Sequence, residues 1–199
     1  MSIFQIQPAD SPLAIDVPAM QMSDGEFVEF CLANRELRIE RTADGEIIVM
    51  PPAFSDTGNR NSRINQQLAN WTDQDSSGLC FDSSAGFTLP NGAKRSPDAA
   101  WIKLERWQAL TPEQQASFAP ICPDFVIELR SASDTLVSLQ NKMQEYIDNG
   151  ARLGLLIDRK KHTVHIYQSD RSIEVLENPD IVLGDPVLPG FKLNLDKIW

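Results

Sequence analysis

Cysteine is scarce in this chain. Cys31, Cys80 and Cys122 are far apart, odd in number, and form no CxxC pair. That argues against a disulfide framework and a thiolate zinc cage, and it fits residence in the reducing cytoplasm. Histidine is scarcer: His162 and His165 are the only two. At opposite parity in one strand they face opposite sides, so they read as exposed strand histidines rather than metal ligands. Cys–His and Ser–His catalysis therefore have little to build on. No apolar run approaches the ~18 residues of a membrane span. The opening MSIFQIQPADSPLAIDVPAM has no basic stretch ahead of an apolar one, so secretion is not expected either. Positive charge is short as well: 18 Lys plus Arg stand against 28 Asp plus Glu, a net charge of −10. Broad non-specific binding of nucleic acid is disfavoured, because phosphate contacts need a basic surface. GxGxxG, GxxxxGKS/T and GxSxG are absent, which removes the dinucleotide, P-loop and nucleophile-elbow readings.

What is present is an ordinary globular composition, 42% hydrophobic and 23% charged over 199 residues. Residues 1–22 are Pro-rich and weakly patterned, an extended arm; residues 23–199 read as a single domain. Ser23 and Glu26 stand three apart as a capping box, opening a helix that fades near Asn34. In LRIERTADGEIIVM (37–50) two β-rich runs flank Asp44-Gly45, a pair suited to a type I′ hairpin. Residues 59–72 place Ile64, Leu68 and Trp71 on one helical side. SPDAAWI (96–102) and PDFVIELR (123–130) are strands, and Thr111-Pro112-Glu113 starts a helix between them. The clearest helix spans 134–149, capped by Ser133 or Asp134 and ended by Gly150, with Leu136, Leu139, Met143, Tyr146 and Ile147 as its apolar stripe. RLGLLID, HTVHIY and SIEVL follow as strands. Strand–helix–strand around 124–158 implies a crossover and a parallel pair; the remainder looks like hairpins. The expected fold is α/β, a mixed sheet flanked by helices.

Chemistry then has to come from carboxylates and lysine. Asp98 shares a strand face with Ala100 and Ile102, where an ionised group is costly to bury unless paired or cation-bound. Glu128 shares its face with Val126 and Arg130, opposite Phe125, Ile127 and Leu129. That face either meets solvent or carries a site. The helix after Arg130 must fold back on the sheet, and its Lys142 lies about 40° from Tyr146 around the axis. Such a lysine either snorkels at a rim or aims its ammonium at the strand carboxylates. Two carboxylates on neighbouring strands plus one lysine make a minimal phosphodiesterase site. A hard cation such as Mg²⁺ takes a few carboxylate oxygens plus waters, and an ammonium nearby orients water and offsets developing charge.

At RIERTADGEIIVM, FTLPNGAKRSPDAAWI, PDFVIELRSASD, KMQEYIDNGARLGLLID and LPGFKLNLDKIW the chain resembles the Uma-type restriction endonucleases. These were long catalogued as a domain of unknown function in the PD-(D/E)XK nuclease superfamily and are abundant in cyanobacteria. The likeness runs from about residue 20 to the end. It implies a restriction-endonuclease-like core and a Mg²⁺- or Mn²⁺-dependent nuclease acting on nucleic acid, DNA before RNA. It implies Asp98 and Glu128 as metal carboxylates and Lys142 as the catalytic lysine. The usual lysine place, two residues after the acid, holds Arg130, which becomes auxiliary. Glu40 is implied as an auxiliary acid reaching metal through water; the other reading is a salt bridge to an arginine. Lys94 and Arg95 before Asp98, with Arg130 and Lys142, would form a positive mouth on an acidic body. Against this stands a non-catalytic nuclease-fold module that binds a protein or nucleic-acid partner, favoured by the −10 charge. A glycosidase built on paired carboxylates is a weak third. Cutting two antiparallel strands would suit a two-fold homodimer.

Overall fold

The computed structural model describes residues 13–15 as backbone and residues 22–50, 53–169 and 171–199 in full; most of the expected arm lies outside that range. Within the arm, strand β1 (Leu13–Ile15) pairs antiparallel with Ile47, Ile48 and Val49. Helix α1 (Asp24–Ala33) begins with the expected capping box: Ser23 Oγ accepts from the Glu26 N–H at 3.3 Å, and Glu26 Oε2 accepts from the Ser23 N–H at 2.8 Å. Strands β2 (Arg38–Arg41) and β3 (Ile47–Met50) make the expected hairpin, with Glu40 opposite Ile48. Its turn differs from the type I′ expectation. The loop runs Thr42–Glu46, closed by the Gly45 N–H on the Thr42 carbonyl, and only Gly45 takes a positive φ, +90°. A longer loop with glycine in the left-handed position gives the same reversal without forcing Asp44 there.

Helix α2 (Ser55–Asp75) is longer at both ends than its apolar pattern suggested, and it buries Ile64, Leu68 and Thr72. Strands β4 (Gly78–Asp82), β5 (Phe87–Thr88), β6 (Lys94–Arg95) and β7 (Ala99–Lys103) follow. Short helices α3 (Leu104–Gln108) and α4 (Pro112–Gln115) come next, the second capped by Thr111. Then β8 (Phe125–Leu129) leads into α5 (Leu136–Asp148) and β9 (Leu153–Asp158). The α5 cap is Thr135, whose side chain accepts from the Ser138 N–H; Asp134 instead accepts from the Ser131 N–H in the preceding turn. Gly150, at φ +109°, lets the chain turn sharply after α5. Strands β10 (Thr163–Gln168) and β11 (Glu174–Glu177) extend the sheet, and a small hairpin of β12 (Ile181–Leu183) and β13 (Lys192–Asn194) closes the fold.

The main sheet runs β11-β10-β9-β8-β7-β4. Only β8 and β9 are parallel in it, joined by the α5 crossover, with Phe125 opposite Leu153 and Leu129 opposite Ile157. A second sheet runs β1-β3-β2-β6-β5. It is a mixed α/β architecture in which both faces of the central strands are covered. On one face Phe125, Ile127 and Leu129 meet Ile64, Leu68 and the C-terminal Val182, Leu188, Phe191 and Leu193. On the other, Val126 and Leu156 meet Leu139, Met143 and Tyr146 of α5. Each fully buried side chain of this size contributes roughly 1.5–3 kcal/mol. Gly154 lets α5 come close: a Cβ there would sit 2.4 Å from Met143 Cε. The solvent reading for the Glu128 face is thereby corrected, because α5 lies on it and Glu128 is 4% exposed. The histidines differ from expectation too. His162 is an exposed turn residue stacked on Trp199, whereas His165 is buried within β10.

Candidate active site

The β7–β8 pairing sets the site. Ala99 lies opposite Ile127 and Ala100 opposite Val126, so continuing the register by one residue puts Asp98 opposite Glu128. Directly opposed residues share a face of the sheet, and like charges there repel unless cations intervene. Asp98 is held from three sides. Its Oδ2 accepts from the Leu129 N–H at 2.9 Å. Its Oδ1 accepts from Asn61 Nδ2 at 3.2 Å and from Arg38 Nη1 at 3.1 Å. Asn65 of α2 adds a bond to the Asp98 carbonyl at 2.9 Å. Glu128 Oε1 accepts from the Tyr146 hydroxyl at 3.1 Å and ion-pairs with Lys142 Nζ at 2.8 Å.

Helical spacing explains that pair of partners. Tyr146 and Lys142 are four residues apart on α5, so both lie over β8, with the ammonium 5.9 Å from the Tyr146 ring centroid. Lys142 Nζ also donates to Glu40 Oε1 at 2.8 Å. Glu40 further accepts from Arg95 Nη1 at 3.2 Å and from the Ser96 N–H at 3.0 Å. Asp98, Glu128, Lys142 and Glu40, remote along the chain, are thus one buried cluster. The arginine partner of Glu40 is present as Arg95, and Glu40 doubles as the anchor of Lys142.

Burial and neighbouring charge divide the two glutamates. Burial, reinforced by the Asp98 and Glu40 charges, pushes Glu128 up to about 7 despite Lys142. Burial opposes ionisation of Glu40 as well, but Lys142, Arg95 and Arg38 outweigh it and hold its carboxyl below the usual range. For Lys142, burial disfavours the ammonium, yet Glu128 and Glu40 overcome it and raise its value. Lys142 is therefore a fixed cation at neutral pH, an orienting group rather than a base. Burial also raises Tyr146 well above its ordinary value, so its hydroxyl stays a donor.

Arg130 is not brought into this cluster. Its Nη1 donates to Asp158 Oδ2 at 2.7 Å, and its Nε donates to the Asp134 carbonyl. On adjacent parallel strands the two residues continue the register beyond Leu129–Ile157, and the buried Asp158 captures the guanidinium. The expected positive mouth is not there either. Lys94 is buried on Asp24 and Thr88, and Arg95 is taken by Glu40 and Glu145. The cleft, about 810 Å³, is lined by eight acidic side chains and three basic ones. Arg38, Arg95, Asn61 and Tyr146 carry roles that sequence reading did not assign. Asn61 and Asn65 had a signal: four apart, they continue the buried Leu68 and Thr72 row of α2, where polar residues need partners.

Among the described residues no group of three or more His, Cys, Asp or Glu side chains is arranged to hold a metal ion. The donor chemistry still fits a hard divalent cation. Asp98 and Glu128 face one cleft, Glu128 Oε2 meets no donor among the described residues, and Asn61 Oδ1 beside Asp98 is buried without a partner. Mg²⁺ binds through one or two carboxylates and keeps several waters, so two carboxylates suffice. No described helix is long and apolar enough to cross a membrane.

Comparison with known proteins agrees with this architecture. No functionally curated protein matches the chain. A crystal structure described as "a putative nuclease belonging to DUF820", from Anabaena variabilis ATCC 29413, superposes with a TM-score of 0.69 at 18% identity. The match covers 80% of this chain and 88% of that one, so the two share a fold. The family model Uma2, "Putative restriction endonuclease", matches residues 24–196. Spanning nearly everything after the arm, that match places the chain in the Uma2 family.

Proposed function

We propose that this protein is a divalent-metal-dependent nuclease that hydrolyses phosphodiester bonds of nucleic acid, with DNA as the substrate. The observation that carries the reading is the meeting of Asp98 and Glu128 with Lys142 in one cleft. Asp98 and Glu128 would hold Mg²⁺ or Mn²⁺. When bound, such an ion polarises the phosphoryl group and acidifies a water. Asp98 is pre-oriented by the Leu129 N–H and Asn61, so little carboxylate motion is needed. Lys142, anchored on Glu40, holds its ammonium against the Glu128 oxygen and is placed to orient a water and offset charge on the phosphate. Glu128, with its value near 7, exchanges its proton close to neutrality, and Tyr146 keeps Oε1 in place. A two-fold dimer would present two such clefts to the two strands of a duplex.

One observation favours the second reading, a non-catalytic module: the cleft is acidic and its three cations are engaged by carboxylates. Supercoiled plasmid and single-stranded substrates incubated with Mg²⁺ or Mn²⁺ separate the two. Cleavage that EDTA abolishes and that Asp98→Asn loses supports the nuclease. Binding of DNA without cleavage under all metals favours the module.

A further inference from the structure

Arg38 rises from β2 into the cleft, and its guanidinium is shared between acceptors. Nη1 donates to Asp98 Oδ1 at 3.1 Å, and Nη2 donates to the Ser96 carbonyl. Nε is buried and has no partner among the described residues. Glu128 and Glu40 lie close enough to stabilise its charge along with Asp98, against the opposing effect of burial. Asp98 is therefore crowded. Of the roughly four lone-pair positions on a carboxylate, three are already taken, by Arg38, Asn61 and the Leu129 N–H. Any ion reaching Oδ1 must displace a donor. The Leu129 N–H holds the other oxygen, Oδ2, so the donors on Oδ1 are Asn61 and Arg38, and Asn61 is neutral on a packed helix. Arg38 alone is a cation on a long side chain, 29% exposed, and it would repel a second cation.

We infer that Arg38 is a built-in counter-ion: it occupies the Asp98 side of the cation seat, yields it when a divalent cation binds, and turns to the substrate phosphate. This rests on the two-carboxylate reading of the site. A displaced guanidinium offers a planar fork of donors that matches phosphate oxygens, and Nε already stands unpaired within the cleft. Asn61 stays on Asp98, leaving its buried Oδ1, an acceptor without a partner among the described residues, beside the incoming ion. The exchange also explains how an acidic cleft handles phosphate: the needed cation is stored on a carboxylate until the metal releases it.

The test is Mn²⁺ calorimetry on the full chain as wild type, Arg38→Met, Arg38→Lys and Asp98→Asn, with binding of a short DNA duplex in Ca²⁺ as a second readout. Arg38→Met should bind Mn²⁺ at least tenfold more tightly than wild type and the duplex at least tenfold more weakly. Arg38→Lys should lie between. A merely structural arginine would lower both affinities together. In the wild-type protein, Mg²⁺ should shift the Arg38 Nε–Hε resonance, assigned by its absence from Arg38→Lys; this keeps the question answerable should Arg38→Met fail to fold. Unchanged or weaker Mn²⁺ binding in folded Arg38→Met, unchanged duplex affinity, or an Nε–Hε resonance indifferent to saturating Mg²⁺ overturns the inference. Mn²⁺ binding that survives in Asp98→Asn, or that is absent from every form, overturns the two-carboxylate reading beneath it and the inference with it.

Discussion

Replacing Glu128 with glutamine should change how stability depends on pH, with a sign fixed by the surroundings of the carboxylate. Glu128 is pushed from 4.5 to about 7 by burial between α5 and the sheet, with Asp98 and Glu40 nearby. The folded chain keeps its proton through a range where the unfolded chain has released it. The stability associated with this group is complete below pH 4.5 and is lost as pH rises through 7. A shift of this size corresponds to about 3 kcal/mol at ~1.4 kcal/mol per unit, most of it between about pH 5 and pH 8. The Glu128→Gln variant, with an amide that does not titrate, has no such dependence. The difference in unfolding free energy, variant minus wild type, should therefore climb by about 2–3 kcal/mol over that range. Urea denaturation of both proteins in metal-free buffer measures it. The buried His165, whose value is lowered by burial, biases each protein in the opposite sense but cancels in the difference. A difference that stays flat, or falls, would refute the claim that Glu128 is held towards its neutral form.

The remaining expectations concern neighbours of the same cluster. Lys142→Met removes the cation shared by Glu128 and Glu40 and should destabilise the protein by about 3–5 kcal/mol, the cost of breaking a buried pair, in thermal or urea unfolding. In the folded fraction it should slow cleavage by about 10²–10³-fold, the cost of removing one charge-stabilising donor, while leaving Mn²⁺ affinity largely intact; loss of metal binding would return Lys142 to the metal seat. Arg130→Ala orphans the buried Asp158 and should cost about 3 kcal/mol without changing cleavage per folded molecule. A specific loss of activity would return Arg130 to the site. Gly78→Ala would force a Cβ to 2.3 Å from the Trp101 ring and 2.5 Å from the Ile102 carbonyl, and should destabilise by about 1–3 kcal/mol in urea.

Much of the architecture was legible because its signals are local. The Ser23–Glu26 box, the hydrophobic stripe of α5 and the strand–helix–strand order each imposed one arrangement, and the parallel β8–β9 pair followed from the crossover. The turn at Gly45 and the cap at Thr135 were displaced because several residues nearby could serve, and backbone detail chose among them. The hairpin β12–β13 was not anticipated: its strands have three residues each, too few for a pattern. Within the site, Asp98, Glu128 and Lys142 could be named from strand faces and from resemblance. The choice of partner could not. Arg130, one residue past β8, has the same parity as Glu128, yet Asp158 on the adjoining strand takes the guanidinium, and no local pattern encodes that competition. Arg38 and Arg95 reach the carboxylates from the other sheet for the same non-local reason.

A crystal soaked in Mn²⁺ and measured for anomalous scattering shows whether Asp98 and Glu128 together hold a divalent cation. One strong peak should appear, coordinated by Asp98 and Glu128 with Lys142 beside it, and none in Asp98→Asn. An empty cleft at saturating Mn²⁺, or a peak that leaves either carboxylate uncoordinated, would contradict the two-carboxylate reading.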